Sequence, residues 1–289
     1  MENKNILLVG WKPPLLSSNS YLKEIKNRFN IRKMGYSGTL DPFASGTLVI
    51  ASGKYTKLLP HFQLEPKEYI ATLHLGAFSK SLDVSGIESI TEIKSFSISE
   101  IHDALLSLKG EVNFTPPSFS AKKINGVRAY KLARENKEFT LEKSKMHIFN
   151  INLLSYIHPF ITFKVLVSKG AYVRSIGELI AKNLNTFGAL SKLERIKEGN
   201  FVFESYKLLN PLDYISFPCI DFSSIDSNIY EDFYFGRKVV LKNEFLKNLP
   251  LQNSSKYIIF LKHFFSIIDL DAFGNVDYVL NRIPYVSSI

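Results

Sequence analysis

The chain of 289 residues contains one cysteine, Cys219. A single thiol can form neither an intrachain disulfide nor a thiolate metal cluster. Long apolar runs are also missing: Tyr257–Leu261 is cut off by Lys262 and His263, well short of a membrane span. The stretch Met1–Gly10 has no basic leader and no small-residue cleavage site, so no signal peptide is read and a cytoplasmic protein is expected. His61, His74, His102, His147, His158 and His263 show no paired ligand spacing, so no metal site is expected. No glycine-rich loop ending in Lys-Ser/Thr occurs, which leaves nucleotide hydrolysis unsupported. Acidic residues are in deficit, with Asp+Glu 27 against Lys+Arg 36, a net charge of +9. The pI of about 9.3 favours a polyanionic partner.

What is present is an ordinary globular balance, 45% hydrophobic and 22% charged, with Phe 23 and Tyr 14 available for a core or for base stacking. Ile6–Val9 reads as a strand, and Ser18-Asn19-Ser20 offers caps to a helix carrying Leu22, Ile25 and Phe29. Met34 to Gly46 is rich in Gly, Ser and Pro and reads as loop, with a strand resuming at Thr47–Ala51. Tyr69, Ala71, Leu73 and Leu75 alternate along a strand. Ser97-x-x-Glu100 is a capping box for a helix bearing Ile101, Ala104, Leu105 and Leu108, with Gly110 to stop it. Phe149, Ile151 and Leu153 share one strand face, and Ile161, Phe163, Val165 and Val167 another. Gly170 then turns the chain into a helix with Val173, Ile176 and Ile180 inward.

Strands and helices mix without a βαβ rhythm, so an α+β architecture around a largely antiparallel sheet is expected. Asn210 to Ser227 is the linker candidate. Domains are expected over 1–222 and 228–289, the second small and strand-rich.

The most informative segment is Lys33-Met34-Gly35-Tyr36-Ser37-Gly38-Thr39-Leu40-Asp41-Pro42-Phe43-Ala44-Ser45-Gly46. Taken alone it is a glycine-hinged loop presenting the carboxylate of Asp41 with Pro42 behind it, an arrangement that also serves plain turns. The segment closely resembles the Gly-x-x-Gly-x-Leu-Asp-Pro-x-Ala-x-Gly signature of the TruB family of pseudouridine synthases. Lys12-Pro13 resembles that family's opening motif. Lys67-Glu68-Tyr69 with Leu75-Gly76 resembles its tyrosine-bearing strand, continued loosely by Ser79, Asp83 and Gly86. Pro116 to Lys123 with Gly126, Tyr130, Ala133 and Arg134 resembles its RNA-facing block. Ser168-Lys169-Gly170-Ala171-Tyr172-Val173-Arg174-Ser175 resembles its Ser-Lys-Gly-Thr-Tyr-Ile-Arg-Thr motif. The likeness runs from about Ile6 to Phe201.

The resemblance implies the pseudouridine synthase fold, a mixed, mainly antiparallel sheet with flanking helices and a central cleft, plus a C-terminal PUA-like RNA-binding domain. It assigns Asp41 as nucleophile, Tyr69 as the active-site tyrosine and Arg174 as the arginine paired with the aspartate. The implied substrate is uridine 55 in the T arm of tRNA. No cofactor or metal is implied, and the bacterial relatives act alone, with a monomer expected. Candidate RNA contacts are Lys12, Lys33, Tyr36, Lys122, Lys123, Arg128, Arg134, Lys169 and Tyr172. Tyr36 stands where the family usually has histidine, and Phe119 where tyrosine is usual. Two rivals are weighed: a tRNA-binding or folding protein without catalysis, and a guide-RNA-dependent synthase subunit. The short C-terminal tail argues against the second. The joint presence of Asp41, Tyr69 and Arg174 argues against the first.

The chemistry fits these assignments. Isomerisation breaks a C–N glycosidic bond and joins the same sugar carbon to C5 of uracil, without net oxidation. An ionised carboxylate is stabilised by a guanidinium beside it. An aromatic ring can stack on a base that has left its helix, a step costing roughly a few kcal/mol.

Overall fold

The alternation at Tyr69–Leu75 sits at the centre of the protein's larger sheet in a computed structural model. The structure describes residues 4–120, 122–124, 126–135, 137–223, 225, 227–241 and 255–285. The elements of the first unit are β1 (Leu7–Lys12), α1 (Ser18–Phe29), β2 (Met34–Tyr36), β3 (Ser45–Ser52), β4 (Lys67–Leu75), β5 (Ala77–Ser79), β6 (Ile87–Ile90) and α2 (Ile98–Leu106). They continue with β7 (Gly110–Phe114), β8 (Lys123–Ile124), β9 (Val127–Arg128), α3 (Ala129–Arg134), β10 (Ser144–Ile157), β11 (Phe160–Val167), α4 (Val173–Asn183) and β12 (Gly188–Glu198). The second unit holds β13 (Cys219–Asp221), α5 (Ser227–Phe235), β14 (Val239–Val240), β15 (Lys256–Leu261), β16 (Phe264–Leu270) and β17 (Asn275–Pro284).

The larger sheet runs β1-β3-β12-β4-β11-β10-β7, with β2 attached to β3. Its pairs are antiparallel except β12 with β3, where Arg195 lies opposite Gly46. The expected α+β fold with a mainly antiparallel sheet is therefore observed. One side of the sheet is covered by α2 and α4, whose Ile101, Leu105, Ile176 and Ile180 pack on Leu73, Ile161, Phe163 and Val165. Each such buried apolar side chain contributes roughly 1.5–3 kcal/mol. The second sheet, β13-β15-β16-β17-β14, shares a core with β1 and β3: Ile258, Phe265 and Ile267 meet Leu7, Val9 and Val49. Among the described residues, no helix is long and apolar enough to cross a membrane.

Four local expectations are corrected. Met34–Tyr36 is a strand rather than loop, pairing with Ile50–Ser52, and β3 begins at Ser45. Pairing along β3 imposes this in a segment whose composition favours turns. Ser17, not Ser18 to Ser20, caps α1, accepting from the Ser20 amide. Phe149 does not share the face of Ile151: a bulge between Ile148 and Asn150 shifts the register, and Phe149 is exposed while Ile148 and Ile151 are buried. Asn210–Ser227 is not a plain linker, because Cys219–Asp221 pairs in parallel with Ile258–Phe260 and so belongs to the second sheet. The expected capping box at Ser97 and Glu100 is present.

Candidate active site

Asp41 lies in the short loop between β2 and β3, and its neighbours are tied down on both sides. Ser18 Oγ, in the first turn of α1, accepts from the Leu40 amide at 3.0 Å and donates to the Leu40 carbonyl at 3.1 Å. On the other side, Lys12 Nζ donates to the carbonyl of Pro42 at 3.3 Å, and to those of Pro13 and Leu16 at 2.9 and 2.7 Å. Leu40, Phe43 and Ala44 drop into the main core. Asp41 thus stands on a loop anchored by packing and by side-chain hydrogen bonds, with 32% of its side chain exposed to the cleft.

Gly46 closes this loop at φ +118°, and a Cβ there would fall 2.3 Å from the Arg195 carbonyl oxygen. The final glycine of the motif is therefore required both by conformation and by the approach of β12.

Arg174 approaches Asp41 from the first turn of α4. Its Nη2 donates to Oδ1 at 2.9 Å and its Nε lies 2.9 Å from Oδ2, a two-pronged guanidinium–carboxylate pair. The same guanidinium donates through Nη1 to the Ser81 carbonyl at 2.9 Å and to Asp83 Oδ2 at 3.3 Å, and through Nη2 to the Phe119 carbonyl at 3.0 Å. Asp83 is itself buried and accepts from Ser81 Oγ at 2.8 Å and the Ser85 amide at 2.9 Å. One buried cation therefore faces two carboxylates. Burial pushes the Asp41 carboxyl up; Arg174 opposes that rise and Asp83 adds to it.

A cleft of about 270 Å³ opens over this pair. Asp41, Tyr69, Tyr172, Arg174, Ser120 and Lys67 are among the residues that line it. Tyr69 is the third residue of β4 and is buried. The three residues expected to carry chemistry, Asp41, Tyr69 and Arg174, are thus brought to one cavity from three separate stretches of chain.

Beneath the loop is a second ionic cluster. Glu198 is fully buried and accepts from Ser37 Oγ at 2.6 Å and Lys67 Nζ at 2.8 Å, with Arg195 Nη2 at 3.2 Å. Arg195 donates in turn to the carbonyls of Gly38 at 2.8 Å and Thr47 at 2.9 Å. The sequence reading gives Glu198 and Ser37 no role of their own and Ser18 only a capping one, since isolated polar residues carry no local signal of a distant partner. Asp83 stands in a stretch that follows the family pattern only loosely.

Lys12, expected to reach RNA phosphate, is corrected: it is completely buried, with Nζ enclosed by three backbone carbonyls. Burial lowers its pKa to about 8, with Asp41 opposing the shift and Arg195 adding to it. The remaining candidates lie nearer the surface. Lys33, Lys123, Arg128, Arg134 and Lys169 are exposed. Lys122 is half-buried, bonded to Ser144 Oγ at 3.0 Å, and Arg134 lies over the Tyr130 ring. Tyr36 is half-buried with its hydroxyl donating to Asn19 Oδ1 at 3.1 Å.

Residues 26–173 match the model of the TruB family pseudouridylate synthase N-terminal domain. A protein of Helicobacter hepaticus called tRNA pseudouridine synthase B is 51% identical over 98% of this chain and 97% of its own length. Proteins of the same name from Sulfurovum sp. and Campylobacter jejuni are 44% and 42% identical, covering 97% and 96% of this chain and 98% of their own. Among solved structures, a chain of a Cbf5-Nop10-Gar1 complex superposes with a TM-score of 0.67, over 96% of this chain and 85% of that one. A chain of an H/ACA RNP bound to a substrate RNA containing 2'-deoxyuridine does so with a TM-score of 0.65, over 98% and 85%. At 18% and 16% identity these two likenesses establish the fold alone. Family match and full-length relatives together establish that this chain belongs to the TruB family of pseudouridine synthases, which are isomerases.

Proposed function

We propose that the chain isomerises uridine 55 in the T arm of tRNA to pseudouridine, with Asp41 as nucleophile. The two-pronged Asp41–Arg174 pair at the base of a nucleoside-scale cleft is the observation that carries this reading. The relatives' names supply the choice of tRNA.

The target base is stacked within the folded RNA and must leave the stack to reach the cleft. In the cleft, Tyr69 offers an aromatic face for the uracil. Arg174 supports Asp41 in its ionised, nucleophilic form while leaving lone pairs of both oxygens free for the substrate. The C1'–N1 bond breaks, C1'–C5 forms, the C5 hydrogen leaves to water as a proton, and N1 takes up a proton in its place. Electrons balance without any redox partner. The exposed Lys33, Lys123, Arg128, Arg134 and Lys169 meet phosphates, and Tyr36, Tyr172 and Lys122 border the bound strand. The five-stranded C-terminal sheet serves as a PUA-like RNA-binding domain. The protein acts alone, as a monomer, in the cytoplasm.

The test uses an unmodified T-arm stem-loop tritiated at C5 of its uridines. Release of tritium by the lone protein, lost when the target uridine is replaced and lost in Asp41→Asn, is the expected result. Tight binding without release, from hairpin and intact tRNA alike, would favour a tRNA-folding protein instead.

A further inference from the structure

Among the described residues, the hydroxyl of Ser120 is the one buried side-chain polar atom without a hydrogen-bond partner. Ser120 is 3% exposed and lines the same cleft as Asp41, Tyr69 and Arg174. Its backbone is held in place from both sides. The preceding carbonyl, that of Phe119, accepts from Arg174 Nη2 at 3.0 Å, and Ser120's own carbonyl accepts from the Tyr130 amide at 3.1 Å. The guanidinium that orients Asp41 therefore also sets the position of Ser120.

A buried, unpaired hydroxyl is destabilising, and native proteins rarely keep one without a use. We propose that Ser120 is a substrate-contacting residue whose hydroxyl hydrogen-bonds to the polar edge of the flipped uracil. This rests on the reading of Asp41 as nucleophile in the same cavity. Rotation about the Cα–Cβ bond redirects Oγ without breaking any existing hydrogen bond. Phosphates are met at the rim by exposed cations, whereas a buried wall residue meets the base. The reaction also suits a hydroxyl. Uracil must exchange N1 for C5 opposite the sugar carbon, and a half-turn about its N3–C6 axis does so, interchanging the C2 and C4 carbonyls and leaving N3–H in place. A hydroxyl can donate to either carbonyl or accept from N3–H, whereas an ammonium only donates and a carboxylate only accepts.

The experiment compares full-length wild type, Ser120→Ala and Asp41→Asn on the tritiated T-arm stem-loop under single-turnover conditions, with RNA affinity and Tm measured on each. Ser120→Ala is expected to bind RNA within about twofold of wild type and to release tritium about tenfold more slowly. Its Tm should equal or exceed that of wild type, because no hydrogen bond is lost in the free protein. An unchanged release rate would overturn the proposal. A slower rate accompanied by a lowered Tm would also overturn it, making Ser120 a structural support. A wild type that releases nothing would instead remove the reading of the reaction itself, and the role of Ser120 with it.

Discussion

Lys12 Nζ donates to the carbonyl of Pro42 at 3.3 Å, so a fully buried ammonium braces the residue that follows Asp41. Three protons on that ammonium meet three carbonyls, those of Pro13, Leu16 and Pro42. The loop carrying the carboxylate is thus held by a charge that water does not reach. Lys12→Met leaves those carbonyls unpaired and frees the loop, and single-turnover release should fall at least tenfold. Its folded pKa near 8 lies below the ordinary lysine value, so the unfolded chain binds the extra proton between about pH 8 and 10.5. Wild type should therefore gain stability relative to Lys12→Met as pH rises through that window. Denaturant melts of both proteins at pH 7.5 and 10 measure the difference; a constant gap would contradict it.

Asp41→Asn should eliminate release while leaving RNA affinity nearly intact. Because burial holds the Asp41 carboxyl above its ordinary range, the folded protein is penalised for keeping it charged at neutral pH. That penalty disappears as pH falls through the raised folded pKa, where the group becomes protonated. The variant should accordingly equal or exceed wild type in Tm at pH 7–8, with any advantage fading toward acid. The same shift moves the acid limb of activity above the ordinary carboxylate range, as a pH–rate profile would reveal.

Arg174 serves five acceptors at once: both oxygens of Asp41, one of Asp83, and the carbonyls of Ser81 and Phe119. A lysine is a point charge and cannot reproduce that fork. Arg174→Lys should reduce single-turnover release by roughly a hundredfold or more. Arg174→Met, which strands the buried Asp83 carboxylate, should also cost about 3–5 kcal/mol of stability. Chemical denaturation and single-turnover release measured on both variants separate the two effects; an Arg174→Lys protein that releases tritium at the wild-type rate would show that the fork has no catalytic importance.

Glu198 is the carboxylate that Lys67 and Arg195 share in the cluster under the loop. Glu198→Gln removes the charge both cations rely on, and about 3–5 kcal/mol of stability should go with it. Calorimetry of the variant checks this. Release should be impaired wherever the protein remains folded, since Arg195 and Ser37 anchor Gly38 and the start of the Asp41 loop.

Much of this protein was legible along the chain. The alternation of Tyr69, Ala71, Leu73 and Leu75, the Ser97–Glu100 capping box and the apolar face of Val173, Ile176 and Ile180 report local periodicity, which sequence records directly. The Leu-Asp-Pro triplet and the Tyr-Val-Arg segment likewise marked Asp41 and Arg174, because each lies within a contiguous, unusual run of residues. Those features were determined by the sequence by itself.

Other features depend on partners far away in the chain. Whether Lys12 faces RNA or the interior is decided by three carbonyls, one of them 30 positions distant. The exposure of Phe149 follows from a bulge against β11, and the role of Cys219–Asp221 from pairing with a strand nearly forty residues later. The single guanidinium shared by Asp41 and Asp83, the burial of Glu198 between Lys67 and Arg195, and the unpaired hydroxyl of Ser120 likewise exist only after the strands pair. Burial and long-range pairing decide a polar side chain's role, and neither is encoded in its immediate neighbours.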